Sequence, residues 1–382
     1  MKERCKLAVG IALGFLTLYT TNLVYLERSS LLLWLAIAIR AVGIALLALF
    51  ATRWFVGTVV RKAWEARGVR ELFTVLYSLL LLALTLELLF MFVPRSHGMG
   101  FTLGARIWDS YFWGPINSLG YRDREPPPFD ARSRYVLAVG DSFTEGHGIR
   151  RVGRRYTELL EESLGPPHRV LNLGSSGSDT RSQLRNLQAY PLEPDLVILQ
   201  YFGNDIEGVA ADYGLTFDAY PSYYDKSAVT RFFIENSFLV NFLYWSVPAD
   251  PANRRYAEFM EECYAEGPVL SQHLRDLAKF VEYVSGRNVP LLVVIFPFLE
   301  EGMDSMDRNV RVVRDFFESN GVPVISVADL IRELSPNERV VNRQDGHASV
   351  EVHERVAAAA VPWVLRLLQR DSSRSNGSEQ MR

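Results

Sequence analysis

The chain has 382 residues, and its 41 Lys and Arg against 44 Asp and Glu give a formal net charge of −3, which excludes a strongly basic nucleic-acid-binding protein. A content of 48% hydrophobic and 22% charged residues excludes an intrinsically disordered chain. The charge is unevenly distributed, because residues 1–95 hold 11 basic and 5 acidic side chains, whereas residues 96–382 hold 30 basic and 39 acidic ones. The two cysteines, Cys5 and Cys263, lie far apart in the chain, so no disulfide framework is expected.

Three long apolar segments occupy the first part of the chain. They cover residues 7–25, 31–50 and 72–93. Each is long enough to cross about 30 Å of hydrocarbon as a helix. A cleaved signal peptide fits less well, because no small-residue cleavage site follows the first segment and two more segments come after it. The sequence therefore predicts a membrane anchor over residues 1–95 with three transmembrane helices.

The flanking basic residues predict the orientation of these helices. Positive residues cluster before the first segment and between the second and third, whereas only Arg28 lies between the first and second. The clustered residues are Lys2, Arg4, Lys6, Arg53, Arg61, Lys62, Arg67 and Arg70. The positive-inside rule then places the N-terminus in the cytoplasm and everything after residue 93 outside it. We expect an integral protein of the plasma or inner membrane with a periplasmic or extracellular domain.

Two charged residues interrupt the second and third segments. Arg40 and Glu87 are each costly alone in lipid, at roughly 2.5–3.5 kcal/mol for an arginine near a helix centre. A structural ion pair between two helices is the favoured interpretation, and a role in transport or proton relay is the alternative. The sequence does not decide whether the two side chains pair.

The remainder of the chain predicts an α/β domain over residues 134–370, after a connector at residues 96–133. Continuous apolar strings that alternate with helical spacing indicate parallel strands covered on both faces. The predicted strands are 135–139, 170–173, 196–201, 291–296 and 322–327, and the predicted helices are 156–164, 276–285 and 308–319. The expected fold is a three-layer α/β/α, flavodoxin-like domain. The polar tail at residues 371–382 is predicted to be disordered.

An aromatic-rich segment at about residues 206–274 interrupts this alternation. Two interpretations stay open for it. It is either a helical insertion with its own apolar face, or a wall or lid that faces the substrate.

Polar turns that contain glycine follow the first three predicted strands. Because the carboxyl ends of parallel strands meet at one edge of the sheet, ligands gather at these turns. A serine there can attack a ligand, and backbone and asparagine amides can hold the oxyanion of acyl transfer. The residues are Gly140, Asp141 and Ser142 in the first turn, Gly177 in the second, and Gly203, Asn204 and Asp205 in the third. Taken singly, the serine also fits a helix cap, and the second and third turns fit ordinary loop chemistry.

A histidine with a neighbouring carboxylate supplies the base that a serine nucleophile needs. Asp345 and His347 near the C-terminus provide such a pair, and His147, five residues after Ser142, is the alternative base. The other histidines are interpreted as structural: His353 within the last helix, His168 in a turn, His97 near the membrane and His273 at the start of a helix.

Metal and cofactor sites are not expected. No set of histidines, cysteines and carboxylates has metal-ligand spacing in the sequence. A Walker lysine and a dinucleotide-binding glycine pattern are both missing after the first strand.

Together and in this order, the four blocks resemble the SGNH hydrolases, the GDSL-type esterase superfamily, over about residues 134–369. The resemblance implies that Ser142 is the nucleophile and His347 the general base. It also implies an oxyanion hole formed by the amides of Ser142 and Gly177 and the side chain of Asn204. Gly140, Asp141, Gly203 and Asp205 are the supporting residues of these blocks.

The last block departs from the pattern of many members. They place the aspartate three residues before the histidine, where this chain has Gln344, whereas Asp345 lies two residues before it. Related membrane-linked members show Asp-x-His with a second histidine six residues on, as His353 is here, so Asp345 is assigned as the orienting acid. Residues 116–123 also resemble a segment that precedes the nucleophile block in membrane-associated members, and a β-structured brace is the simplest interpretation of that segment.

The leading hypothesis is a membrane-anchored extracytoplasmic serine esterase. It would remove acyl groups, acetyl foremost, from an ester-bearing glycan, lipid or small molecule through an acyl-enzyme. One alternative is an O-acyltransferase that modifies envelope polysaccharide with the same site and a membrane acyl-transfer partner. Another is a catalytically silent binding or scaffold protein of the SGNH fold. The sequence does not indicate the natural substrate, the acyl length or the oligomeric state.

Overall fold

The computed structural model describes residues 30–60, 67–217, 222–246, 250–300 and 307–379, together with residues 9, 10, 12 and 14. The chain forms two compact units. The first comprises Met1–Tyr111 and Tyr220–Pro248, and the second comprises Phe112–Ala219 and Ala249–Arg382. The aromatic-rich segment at 206–274 is therefore divided between the two units, and its described part is mostly helical.

Helices make up most of the described residues. In chain order they are α1 (Ser30–Phe55), α2 (Arg67–Phe90), α3 (Leu103–Phe112), α4 (Ser142–Glu145), α5 (Tyr156–Leu164), α6 (Thr180–Ala189), α7 (Glu207–Asp212), α8 (Ala228–Asn236), α9 (Phe238–Trp245), α10 (Asp250–Cys263), α11 (Pro268–Ser285), α12 (Asp307–Ser319), α13 (Val327–Leu330), α14 (Pro336–Arg339) and α15 (Val350–Glu379). The strands are β1 (Arg134–Gly140), β2 (His168–Gly174), β3 (Leu196–Phe202), β4 (Leu291–Phe296), β5 (Val324–Ser326), β6 (Val340–Asn342) and β7 (Asp345–Ala348).

The first unit contains two helices that are long and apolar enough to cross a membrane. These stretches are Trp34–Phe55 in α1 and Gly68–Phe90 in α2. They correspond to the second and third predicted spans. The first predicted span, at residues 7–25, lies outside the described residues except for four positions.

The second unit contains a five-stranded parallel sheet in the order β2-β1-β3-β4-β5. Its strands are buried along almost their whole length. Side chains alternate between two cores, because successive residues of a strand point to opposite faces. Leu137 packs in the core that contains Phe280 of α11, whereas Val136 packs in the core that contains Tyr156 of α5 and Val356 of α15. This confirms the predicted three-layer α/β/α fold with a parallel sheet.

Some boundaries and positions differ from the sequence expectation. α11 begins at Pro268, which suits the first turn of a helix because proline has no N–H to lose there. His273 is consequently inside a helix, and His168 begins β2 instead of lying in a turn. The last helix continues to Glu379, so it includes most of the tail that was predicted to be disordered from residue 371. That tail contains no proline, and extending an existing helix costs little compared with nucleating one.

Candidate active site

Ser142 lies in a tight turn between β1 and the one-turn helix α4. The side chain of Asp141 caps this helix, because its Oδ1 accepts a hydrogen bond from the N–H of Phe143 at 2.8 Å. Gly140 allows the close approach of β3, since a Cβ there would lie 2.3 Å from Oε1 of Gln200. The turn thus holds Ser142 at the carboxyl end of a central strand, with 8% of the residue exposed.

His347 connects Ser142 with a buried carboxylate. Its Nε2 lies 2.8 Å from Oγ of Ser142, and its Nδ1 lies 2.6 Å from Oδ1 of Asp345. Asp345 and His347 are two residues apart on β7, so their side chains lie on the same face of that strand. The two-residue spacing therefore brings the carboxylate to the histidine. The geometry is that of a serine, its base and the acid that orients the base.

Charge sets the basicity of His347. Burial lowers the pKa of His347, but the charge and hydrogen bond of Asp345, together with the charges of Asp141 and Glu300, raise that pKa above its ordinary 6.5. An imidazole in this position is a stronger proton acceptor than a free one, which is the property that a general base needs.

Three hydrogen-bond donors lie in the turns after β1, β2 and β3, which are neighbours in the sheet. They are the backbone amides of Ser142 and Gly177 and Nδ2 of Asn204, and none of them has a hydrogen-bond partner in the part of the chain that the structure describes. Gly177 has a φ of 74°, a conformation that glycine adopts without strain. Donors left open at one sheet edge are available to a ligand oxygen.

Hydrogen bonds tie the second turn to the first. Ser175 N and Ser178 Oγ both donate to the carbonyl of Gly140, at 3.1 and 3.0 Å. The carboxylate of Glu145 accepts from Ser176 N at 2.9 Å. The amide of Gly177 is consequently held next to the serine turn by contacts on both sides of it in the chain.

The supporting residues of the third turn are buried beneath the edge. A Cβ on Gly203 would lie 2.5 Å from the ring of Phe298, and the carbonyl of Gly203 accepts from Tyr264 Oη at 2.8 Å. Asp205 accepts from Gln183 Nε2 at 3.0 Å, and burial raises the pKa of Asp205 well above its ordinary range. These contacts fix the turn that carries Asn204.

Asp141 is also buried, and burial raises its pKa to about 6, although its hydrogen bond from Phe143 N opposes that rise. Its side chain caps α4, its backbone N–H donates to Oε1 of Gln200 on β3 at 3.0 Å, and its charge contributes to the raised pKa of His347.

His147, the alternative base, lies beside the serine–histidine pair without replacing His347. Its ring centroid is 4.4 Å from that of His347, and its Nε2 lies 3.7 Å from Oδ2 of Asp345. The contact to Oγ of Ser142 is made by His347.

His147, Asp345 and His347 also offer ligand atoms within 4.8 Å of one another, close enough to coordinate one metal ion together. The sequence expectation found no such set, because about two hundred residues separate the first member from the other two. Both nitrogens of His347 already take part in the hydrogen bonds to Asp345 and Ser142, so a metal on His347 would displace one of them.

Residues 116–123 hold the loop that follows α4. The sequence had left the role of this segment open. The segment contains no strand, so the interpretation as a β-structured brace is wrong. The segment is attached to the domain by side-chain hydrogen bonds instead of a β-ladder. Asp123 accepts from Asn172 N of β2 at 2.9 Å. The fully buried guanidinium of Arg122 donates to the carbonyls of Phe112, Trp113, Glu145, Gly146 and Ile149.

The chain matches the model of the GDSL-like Lipase/Acylhydrolase family over residues 138–355, which contain Ser142, Gly177, Asn204, Asp345 and His347. No curated protein matches the chain.

Among solved structures, a lipolytic protein of the G-D-S-L family from Veillonella parvula is 16% identical, with a TM-score of 0.39 over 62% of this chain and 100% of that one. A carbohydrate acetylesterase family member from Sinorhizobium meliloti is 14% identical, with a TM-score of 0.39 over 62% and 99%. The aryl esterase of M. smegmatis is 17% identical, with a TM-score of 0.35 over 62% and 100%. Because the family model covers more than half of the chain, the chain belongs to the GDSL-like lipase/acylhydrolase family and is an SGNH serine hydrolase that acts on ester bonds.

Proposed function

We propose that the protein is a membrane-anchored serine esterase that removes short acyl groups, acetyl foremost, from an ester substrate outside the cytoplasm. The observation that carries this proposal is the simultaneous hydrogen bonding of His347 to Ser142 and Asp345. The membrane part is supported by the apolar helices α1 and α2 and by the clustering of basic residues on one side of the predicted spans.

The first half-reaction forms an acyl-enzyme. Nε2 of His347 takes the proton of Ser142 as Oγ attacks the ester carbonyl carbon, and Asp345 stabilises the resulting imidazolium. The amides of Ser142 and Gly177 and Nδ2 of Asn204 donate to the tetrahedral oxyanion. The imidazolium then gives its proton to the leaving alkoxide, and the alcohol departs.

The second half-reaction repeats these roles with water. His347 takes a proton from water as the water attacks the acyl-serine, and the same donors hold the second oxyanion. Collapse of this second tetrahedral intermediate releases the carboxylic acid, and His347 returns the proton to Oγ of Ser142.

The assignment of Ser142 is tested with the full-length protein in detergent. A fluorophosphonate probe should label the native chain, and Ser142→Ala should abolish labelling and lower turnover of nitrophenyl acetate by at least about 10³-fold. Ser163→Ala, on the exposed face of α5, is the matched control and should leave both unchanged.

Persistent labelling of Ser142→Ala would remove Ser142 as the nucleophile. A panel of acetyl, butyryl and octanoyl esters tests the acyl preference, which we expect to favour acetyl. If the probe labels Ser142 but the protein hydrolyses none of these esters, we would replace the esterase proposal by transfer of the acyl group to another acceptor.

A further inference from the structure

The turn between α8 and α9 is bound by the acidic residue of an apolar helix. Glu87 of α2 accepts hydrogen bonds from Oγ of Ser237 at 2.6 Å, from N of Phe238 at 2.8 Å and from N of Leu239 at 3.0 Å. The last two are N–H groups of the first turn of α9, which have no carbonyl partner within that helix. The carboxylate therefore caps the N-terminus of α9, where negative charge is favourable.

Arg40 of α1 completes this arrangement. It forms an ion pair with Glu87 and donates to the carbonyl of Asn236, the last residue of α8, at 2.5 Å. Its guanidinium also lies 5.0 Å from the ring centroid of Phe238. Arg40 and Glu87 are 1% and 6% exposed, so the pair is enclosed within the first unit. The ion pair that the sequence left undecided thus exists, and it has a third partner, the α8–α9 turn.

Backbone groups at a turn between two helices are satisfied by water when the turn lies in solvent. In hydrocarbon they need partners from the protein, and an unsatisfied group there costs several kcal/mol. Here the buried Arg40 donates a hydrogen bond to the carbonyl at the end of α8, and the buried Glu87 accepts hydrogen bonds from the amides at the start of α9. Both residues lie in otherwise apolar helices. These hydrogen bonds are the protein partners that the backbone groups of a turn below the membrane surface require.

The outer surface of the hairpin carries exposed apolar side chains beside the ion pair of Arg231 and Glu235 on α8. Val229 of α8 is 68% exposed and Leu243 of α9 is 55% exposed, and Phe242 stacks on Phe90 of α2 at 4.3 Å. The apolar face is therefore continuous with that of a candidate span. Aromatic side chains cluster at the open end of the hairpin, as at membrane interfaces: Tyr223, Tyr244 and Trp245.

We propose that α8 and α9 form a hairpin that inserts into the outer boundary of the lipid bilayer, with its tip closed by Arg40 and Glu87. This inference rests on the proposed membrane anchoring. Glu87 lies three residues before the end of α2, about 4.5 Å along the helix, so the insertion is shallow, as for interfacial helices. The occupant of the apolar face is lipid at the boundary between headgroups and acyl chains.

The test uses nitroxide labels on the full-length chain in lipid vesicles, with Cys5→Ser and Cys263→Ala as the background. Single cysteines are placed at Leu243 on the hairpin, at Leu79 in the middle of α2 and at Glu162 on an exposed face of the second unit. Collision with oxygen, which concentrates in lipid, is compared with collision with a water-soluble nickel chelate. We expect the labels at 243 and 79 to favour oxygen several-fold over the label at 162.

Each alternative pattern contradicts a different statement. A label at 243 that behaves like the one at 162, while the label at 79 stays in lipid, overturns the inserted hairpin and leaves the anchor intact. Exposure of the label at 79 to nickel overturns the anchor as well. A label at 243 that is shielded from both reagents means that a protein covers the face, which also overturns the inference.

A second variant tests the tip. Glu87→Ala should increase nickel collision at position 243, because α9 loses its cap, whereas Glu71→Ala near the other end of α2 should not. Equal nickel collision in the two variants would remove Glu87 from the proposed role.

Discussion

His347 sets the reactivity of the site at the scale of single residues. It reaches a serine 205 positions earlier in the chain and a carboxylate two positions away. The raised pKa of His347 has a direct kinetic consequence, because only the neutral imidazole accepts the proton of Ser142. Below that pKa the histidine is protonated and the serine loses its base.

We therefore expect kcat/KM to rise with pH and to reach half its maximum above pH 6.5, the ordinary pKa of histidine. Asp345→Asn removes the negative charge that raises the pKa of His347, so it should shift this midpoint to lower pH and lower the maximal rate by about 10³–10⁴-fold. The pH profile of nitrophenyl acetate hydrolysis measures both. Asp329→Asn, an exposed carboxylate outside the site, is the control. A midpoint that is identical in Asp345→Asn and the native protein would contradict the role of Asp345.

The structure brings together the three residues that the sequence proposed for their side-chain chemistry, whereas the sequence assigned no role to a residue that acts on the backbone. Ser142, Asp345 and His347 could be found because a nucleophile, a base and an acid have few alternatives as residue types. Arg122 could not, because it binds five backbone carbonyls, and carbonyls leave no trace in a sequence. The available signal was the resemblance of residues 116–123 to a family segment, which did not indicate what Arg122 does.

At the scale of elements, β7 and the loop after α4 meet at Gly148. This glycine has a φ of 80°, and a Cβ on it would lie 2.8 Å from Oδ2 of Asp345 and 2.6 Å from Cγ2 of Val341. The loop therefore passes directly over the acid of the site. Glycine is needed there both for the backbone conformation and for the close approach.

Gly148→Ala should lower kcat by at least about 10-fold, because the new methyl group displaces Asp345 and misaligns His347. Gly321→Ala is a matched control: its φ is 71°, but a Cβ there meets nothing within 4 Å. Both variants should lose stability by about 1–2 kcal/mol from the strained backbone, and only Gly148→Ala should lose activity beyond that. Thermal unfolding and steady-state kinetics of the two variants separate strain from collision. Equal activity in the two would show that Asp345 tolerates the methyl group.

Elements buried on both faces were predicted accurately. β4 was expected at 291–296 and occurs at Leu291–Phe296, because a continuous apolar string between polar loops has one simple interpretation. The hairpin of α8 and α9 was not predicted. An aromatic-rich composition is compatible with a surface that faces lipid, a surface that faces substrate or a protein core, so the sequence left the environment of the hairpin open.

At the scale of the whole molecule, the chain passes between the two units three times, at residues 111–112, 219–220 and 248–249. The uneven charge distribution of the sequence indicated an anchor and a separate domain. It could not indicate that residues 220–248 belong to the first unit, because that assignment depends on contacts with Arg40 and Glu87 far away in sequence.

The proposed topology predicts the location of the C-terminal half. A reporter that is active only outside the cytoplasm should be active when fused after Gln369 and inactive when fused between residues 62 and 67, within the basic cluster. Reporter activity in cells, normalised to protein amount, is the measurement. An inactive fusion after Gln369 together with an active fusion in the basic cluster would invert the topology.

The position of the hairpin between β3 and β4 also imposes an order on synthesis and assembly. β4 pairs with β3, yet the residues made between them include a segment that belongs to the first unit. As the chain is made from its N-terminus, β1, β2 and β3 are available before the hairpin exists, and α1 and α2 are already present to receive it. Once the hairpin is seated, the long connection between β3 and β4 is split into two shorter ones, which lowers the entropy lost when the strands pair. The contacts of the hairpin within the first unit thus bear on how readily β3 and β4 of the second unit pair.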